Sequence, residues 1–185
     1  MTFIDGPVRV TVPATSANLG PGFDALGLAL DLRDELIGEV VAAGLTIEVV
    51  GQGADGVPLD EGHLVVRAMR SVFETLGVAS PGLRLRCRNA VPHARGLGSS
   101  SAAIVGGLVL ARALVDGGTD RLGDDDLLQL AATMEGHPDN VAPALYGGFV
   151  ISGHDAGRFF AAPAAVDPDI STVVFVPPTD RKSVV

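Results

Sequence analysis

At 185 residues, 47% of them hydrophobic, the chain has enough apolar side chain to fill one domain core. The formal net charge of −9 and sequence pI of about 4.7 exclude a nucleic-acid partner of the usual basic-stripe kind. Cys87 is the only cysteine, so no internal disulfide can form, and a reduced compartment is expected. The N-terminus lacks the charged-then-apolar order of a leader, and the apolar run 102–110 is too short to span a bilayer. A cytoplasmic protein with no membrane partner is expected.

In chain order, the pattern predicts a strand over 8–12 and a turn-rich loop over 13–23. Separate strands follow over 25–30, 35–41 and 45–50, then a polar, glycine-rich loop. Apolar spacing at Leu64, Val65, Ala68, Met69, Val72 and Phe73 predicts a helix over 63–76. Alternation over 83–88 predicts a half-buried strand with Cys87 facing inward. A buried helix is expected over 100–115 and an acid-capped one over 124–134, stopped by Gly136. A short helical turn over 141–145 and strands over 147–152 and 172–176 complete an α+β order.

The most informative stretch is 92–103, PHARGLGSSSAA. Gly96 and Gly98 allow a tight loop whose backbone can approach a ligand. Ser99, Ser100 and Ser101 then open the buried helix, and a helix start offers unpaired N–H groups and partial positive charge to a phosphate. The hydroxyls can add hydrogen bonds or reach a Mg²⁺ beside it. Arg95 faces either a phosphate or solvent. The stretch alone leaves open an ordinary Gly-Ser turn with serine caps. The chain has twelve arginines and a single lysine, Lys182, so no lysine follows the glycine loop and a P-loop is excluded. His93 and His154 are expected to be exposed, and the four histidines lack zinc spacing.

Two further segments matter: 13–28, PATSANLGPGFDALGL, and 135–149, EGHPDNVAPALYGGF. With the glycine loop they resemble the three N-terminal motifs of the GHMP kinases, over about residues 8–177. ATSANLGPGFD and EGHPDNVAPA are most similar to the members that act on homoserine. The resemblance implies ATP-dependent phosphorylation of the side-chain hydroxyl of L-homoserine, a step of threonine synthesis. It implies that Pro92, Arg95, Gly96, Leu97, Gly98, Ser99, Ser100, Ser101 and Ala102 hold the nucleotide. His63, where relatives usually carry Asn, falls at the adenine pocket. Ser100 and Glu135 correspond to Mg²⁺ ligands, Asp139 to the catalytic residue orienting the hydroxyl with Asn140 beside it, and Asn18, Asp24 and His137 to substrate contacts. Read without the family, Asp139 caps a helix, Asp24 caps a turn, Asn18 is a left-handed turn residue, and Glu135 and His137 are solvated.

The fold implied is the GHMP kinase N-terminal domain: α+β, a ribosomal-protein-like sheet and helix layer, with a left-handed βαβ crossover where the general rule gives the right-handed one. Residues 1–177 are expected to form this ATP-binding domain, and members continue into a ferredoxin-like domain expected to be missing here. Residues 178–185 are expected to be a non-native tail, because the run from Asp180 matches a translated sequencing adapter and holds the only lysine. Such a chain should expose apolar surface where a second domain packs. Another GHMP kinase, such as a mevalonate kinase, and an ATP-binding fragment without turnover remain open, as do monomer and homodimer.

Overall fold

Strand β1, Val8–Ala17, lies antiparallel to the sixteen-residue strand β2, Leu26–Val41. This computed structural model describes residues 2–176. Residues 13–17, read from sequence as loop, continue β1, and the two strands expected over 25–30 and 35–41 are one. The register shifts between Pro13 and Ala14, opposite the polar run that begins at Asp31. Proline brings no N–H to the ladder there, and a bulge takes up the extra residues without ending the strand.

Strand β3, Leu45–Gly51, is followed by helix α1, Leu64–Thr75, and by β4, Gly82–Asn89, which pairs parallel to β3 and antiparallel to β2. Helix α2, Ser99–Leu114, the short α3, Gly118–Arg121, α4, Asp124–Glu135, and α5, Val141–Tyr146, precede the hairpin of β5, Phe149–Asp155, and β6, Arg158–Ala164. The sheet order is β3-β4-β2-β5-β6, with β1 also on β2. Residues 35–41 of β2 pair with β4 and residues 26–28 pair with β5. Among the described residues no helix is long and apolar enough to cross a membrane.

The core lies between one sheet face and the helices. In β4, Leu83, Leu85 and Cys87 are buried while Arg84, Arg86 and Arg88 are exposed, as the alternation predicts. The outer face carries cross-strand pairs, Arg9 with Glu35, Arg84 with Glu39 at 2.6 Å and Arg86 with Glu48 at 3.0 Å. Inside, Val65, Met69, Val72 and Phe73 of α1 meet Ile104, Leu108 and Leu110 of α2 in one cluster. Gly107 makes the α1–α2 approach possible, since a Cβ there would sit 2.6 Å from the Val65 carbonyl oxygen.

The strand expected over 172–176 is not formed. Those residues are irregular, and Val173 and Phe175 are 75% and 90% exposed. β-propensity makes no strand without a partner edge, and β6, which the sequence reading missed, takes the place beside β5. The tail expected over 178–185 lies outside the described residues. Phe73 is fully buried and meets Phe3 edge-on at 5.6 Å, so F73A is expected to cost about 3–5 kcal/mol in urea unfolding followed by circular dichroism. R84A on the wet face should stay within about 1 kcal/mol in the same measurement.

Candidate active site

The glycine loop is tied at both ends to the β1–β2 pair. At its start, Oδ1 of Asp34 in β2 accepts hydrogen bonds from the backbone N–H groups of Ala90 (2.7 Å) and Val91 (2.8 Å). Burial pushes the Asp34 carboxyl above its ordinary value, outweighing those two donors. At the loop's end, the Thr15 N–H donates to the Leu97 carbonyl at 3.0 Å. Gly98 sits in the left-handed region (φ 64°), where a Cβ would collide with Thr15 Oγ1. The fully buried Thr15 hydroxyl donates to Asn140 Oδ1 at 2.9 Å. Three segments distant in sequence thus meet at one point.

Gly98 is the N-cap of α2, and no side chain caps that helix. The alternative of serine caps is therefore not realised. Ser100 Oγ donates to Glu135 Oε2 at 2.8 Å and Ser101 Oγ to Oε1 at 2.9 Å. Glu135 ends α4, where the helix dipole opposes a carboxylate, but its side chain reaches the positive start of α2. A cavity of about 370 Å³ opens there, lined by Gly96, Ser99, Ser100, Glu135, His137 and Asn140 among others. A second, apolar cavity of about 270 Å³ shares Ser99 and Ser100 and runs to Val57, Pro58, His63 and Leu64.

On the far side of the first cavity, His137 Nδ1 lies 2.5 Å from Asp139 Oδ1. Asp139 is fully buried, and its Oδ2 has no hydrogen-bond partner. His63 is also buried, with Nδ1 unpartnered, and burial lowers its pKa, so its ring is neutral.

Residues 63–148 match the family model described as the GHMP kinases N terminal domain. The fold is that of the GHMP kinase N-terminal domain. It is 54% identical over 92% of its length to homoserine kinase from Streptomyces coelicolor, of which it covers 55%. In structure it is similar to homoserine kinase from Cytophaga hutchinsonii, with a TM-score of 0.76 at 32% identity, covering 90% of this chain and 54% of that one. The L. major mevalonate kinase solved with R-mevalonate matches at TM-score 0.65 and 17% identity, covering 88% of this chain and 54% of that one, which shows the shared fold alone. The chain spans about half the length of the curated relatives it matches.

In this fold, many residues singled out from sequence converge. Asn18, Gly96, Leu97, Gly98, Ser99, Ser100, Ser101, Glu135, His137 and Asn140 line the first cavity, while His63 and Ala102 line the second. Four do not line either one. Pro92 lies just past the anchored Val91. Arg95 follows a reversal at Ala94 (φ 54°), and Ala94 is the residue that faces the cavity. Asp24 is exposed in a left-handed turn (φ 54°), where its backbone N–H donates to Asn18 Oδ1 at 2.9 Å. Asp139 is buried behind the wall and connects to the cavity through His137. It does not cap α5, whose N-cap is Asn140 without a side-chain cap bond. His93, expected to be exposed, is half-buried and lines the apolar cavity, while His154 is exposed as expected and packs on Phe159.

Asp34 and Thr15 were not singled out from sequence. Asp34 shares strand parity with Leu36, so a carboxylate on the inward face was a readable signal. Thr15 gives none, because its side-chain partner lies 125 residues away. For Asp34 the raised pKa fixes a sign: its favourable contribution to stability is complete below the unfolded-state pKa and is lost as pH rises through the folded one. Wild type should therefore gain melting temperature relative to D34N as pH falls from neutral toward about 4, in matched thermal melts. A relative loss on acidification contradicts this.

Proposed function

We propose that this chain binds ATP at the start of α2 and serves the transfer of its γ-phosphoryl group to the side-chain hydroxyl of L-homoserine. The observation that carries the reading is Glu135 reaching across to Ser100 and Ser101 at an uncapped sixteen-residue helix start beside an open cavity. Backbone N–H groups of the first helical turn, with no side-chain cap, suit the phosphates. The apolar cavity suits a base, and the orphaned Nδ1 of the neutral His63 ring offers it a hydrogen-bonding atom.

The oxygen set at the helix start also fits Mg²⁺, a cation that takes hard oxygen ligands and keeps some waters. Ser100 Oγ donates its proton to Glu135 and keeps lone pairs, so the hydroxyl and the carboxylate would hold the ion with phosphate oxygens completing the shell. When bound, Mg²⁺ supplies neutralisation of the charge that builds on the β- and γ-phosphate oxygens. Phosphoryl transfer needs in-line positioning and charge compensation more than covalent help. His137 and Asn140 flank the acceptor side of the cavity and would hold the hydroxyl toward the γ-phosphorus.

A second reading, nucleotide binding without turnover, takes the helix start and the apolar cavity as a nucleotide seat alone. Equilibrium dialysis with labelled ATP, run beside a coupled ADP-release assay, separates the two. The first reading expects homoserine-dependent ADP, and E135Q should lower that rate about a hundredfold. ATP binding without homoserine-dependent ADP supports the second, and no ATP binding rejects both.

A further inference from the structure

We infer that two buried side chains set the hydrogen-bond polarity of the acceptor site, so that the cavity reads a hydroxyl group. Asp139 makes His137 a hydrogen-bond acceptor toward the cavity, and Thr15 makes Asn140 a donor. The inference rests on the reading of a small-molecule alcohol as phosphoryl acceptor and reassigns Asp139 from direct substrate contact to a positioning role.

A carboxylate oxygen facing a ring nitrogen is the acceptor of the pair, so the hydrogen between Asp139 Oδ1 and His137 Nδ1, 2.5 Å apart, is placed on Nδ1. In the neutral ring the lone pair is then on Nε2, on the side of the imidazole turned away from Asp139. Asp139 is fully buried, whereas the His137 side chain is 43% exposed and lines the cavity. Nε2 is therefore the acceptor that the cavity wall presents.

Asn140 carries the opposite sign. The buried Thr15 hydroxyl needs an acceptor for its proton, and Asn140 Oδ1 takes it at 2.9 Å. With its oxygen engaged, the amide turns its NH₂ group toward the cavity that Asn140 lines.

An alcohol can satisfy both at once, donating to Nε2 and accepting from the Asn140 NH₂. An ammonium group cannot accept, a carboxylate cannot donate, and a methyl group does neither. A hydroxyl held this way keeps a lone pair free for phosphorus, and its O–H points away from the line of attack. The pairing thus orients the nucleophile and selects its chemical class.

Long-range ¹H–¹⁵N spectra of the full 185-residue chain, taken at alkaline pH where imidazole is neutral, read the ring directly. The His137 signals, assigned by their loss in H137Q, should show a protonated Nδ1 and a bare Nε2. D139A should exchange the two resonance types. D139N keeps an oxygen that can accept from Nδ1–H, so it should preserve the wild-type pattern even where D139A fails to fold. Homoserine should shift the bare Nε2 and bind at least about tenfold more tightly than 2-aminobutyrate or 2,4-diaminobutyrate. A protonated Nε2 in wild type, or a D139A ring unchanged from wild type, overturns the inference. A bare Nε2 that homoserine leaves unmoved supports the locked ring and overturns the homoserine reading.

Discussion

Everything at the site depends on the close approach of Thr15 to Gly98. The residue at 98 must be in the left-handed region and must lack a side chain, because Thr15 Oγ1 occupies the space where one would stand. That contact sets the direction in which α2 begins, and so where its unpaired amides point. Through its hydroxyl the same threonine holds Asn140, the N-cap of α5. A residue of the first strand therefore fixes both walls of the cavity. Asp34, which lines the apolar cavity, does the matching work at the other end of the glycine loop.

The electrostatics of the site follow from two helices meeting end to start. The carboxylate of Glu135 would be poorly placed if it saw only its own helix, since α4 turns its negative end toward it. The start of α2 and two serine hydroxyls compensate for it. A chain with only one lysine thus sets backbone dipoles, hydroxyls and a carboxylate around one cavity, the arrangement on which the proposed nucleotide and Mg²⁺ binding rests. The overall acidity of the protein does not oppose the proposed nucleotide, because the field that matters there is local.

Features carried by neighbours in sequence were legible. The glycine loop, the serines opening a buried helix, the inward phase of Cys87 and the stop at Gly136 all follow from local periodicity and turn chemistry. The continuity of β2 was not, because its polar interruption is absorbed by a bulge that only the partner strand explains. The run 172–176 misled for the opposite reason: it has strand composition but pairs with no strand among the described residues. Within the site, the burial of Asp139 behind His137 depends on tertiary packing that no spacing rule conveys. Thr15 was hidden by sequence distance alone, and His93 by the folding of the 51–62 loop against it, where a Cβ on Gly53 would meet its ring.

The strand order has a bearing on how this protein behaves at high concentration. Among the described residues β3 and β6 end the main strand path, with β1 paired on β2 alone beside it, and a bare margin is a template for lateral growth between molecules. On β6, Pro163 removes one donor from the row that a second molecule would need, while β3 presents Glu48 on its outer face. With nine excess negative charges repelling neighbouring copies, the ribbon-like polymers that open sheets tend to form are discouraged at both rims.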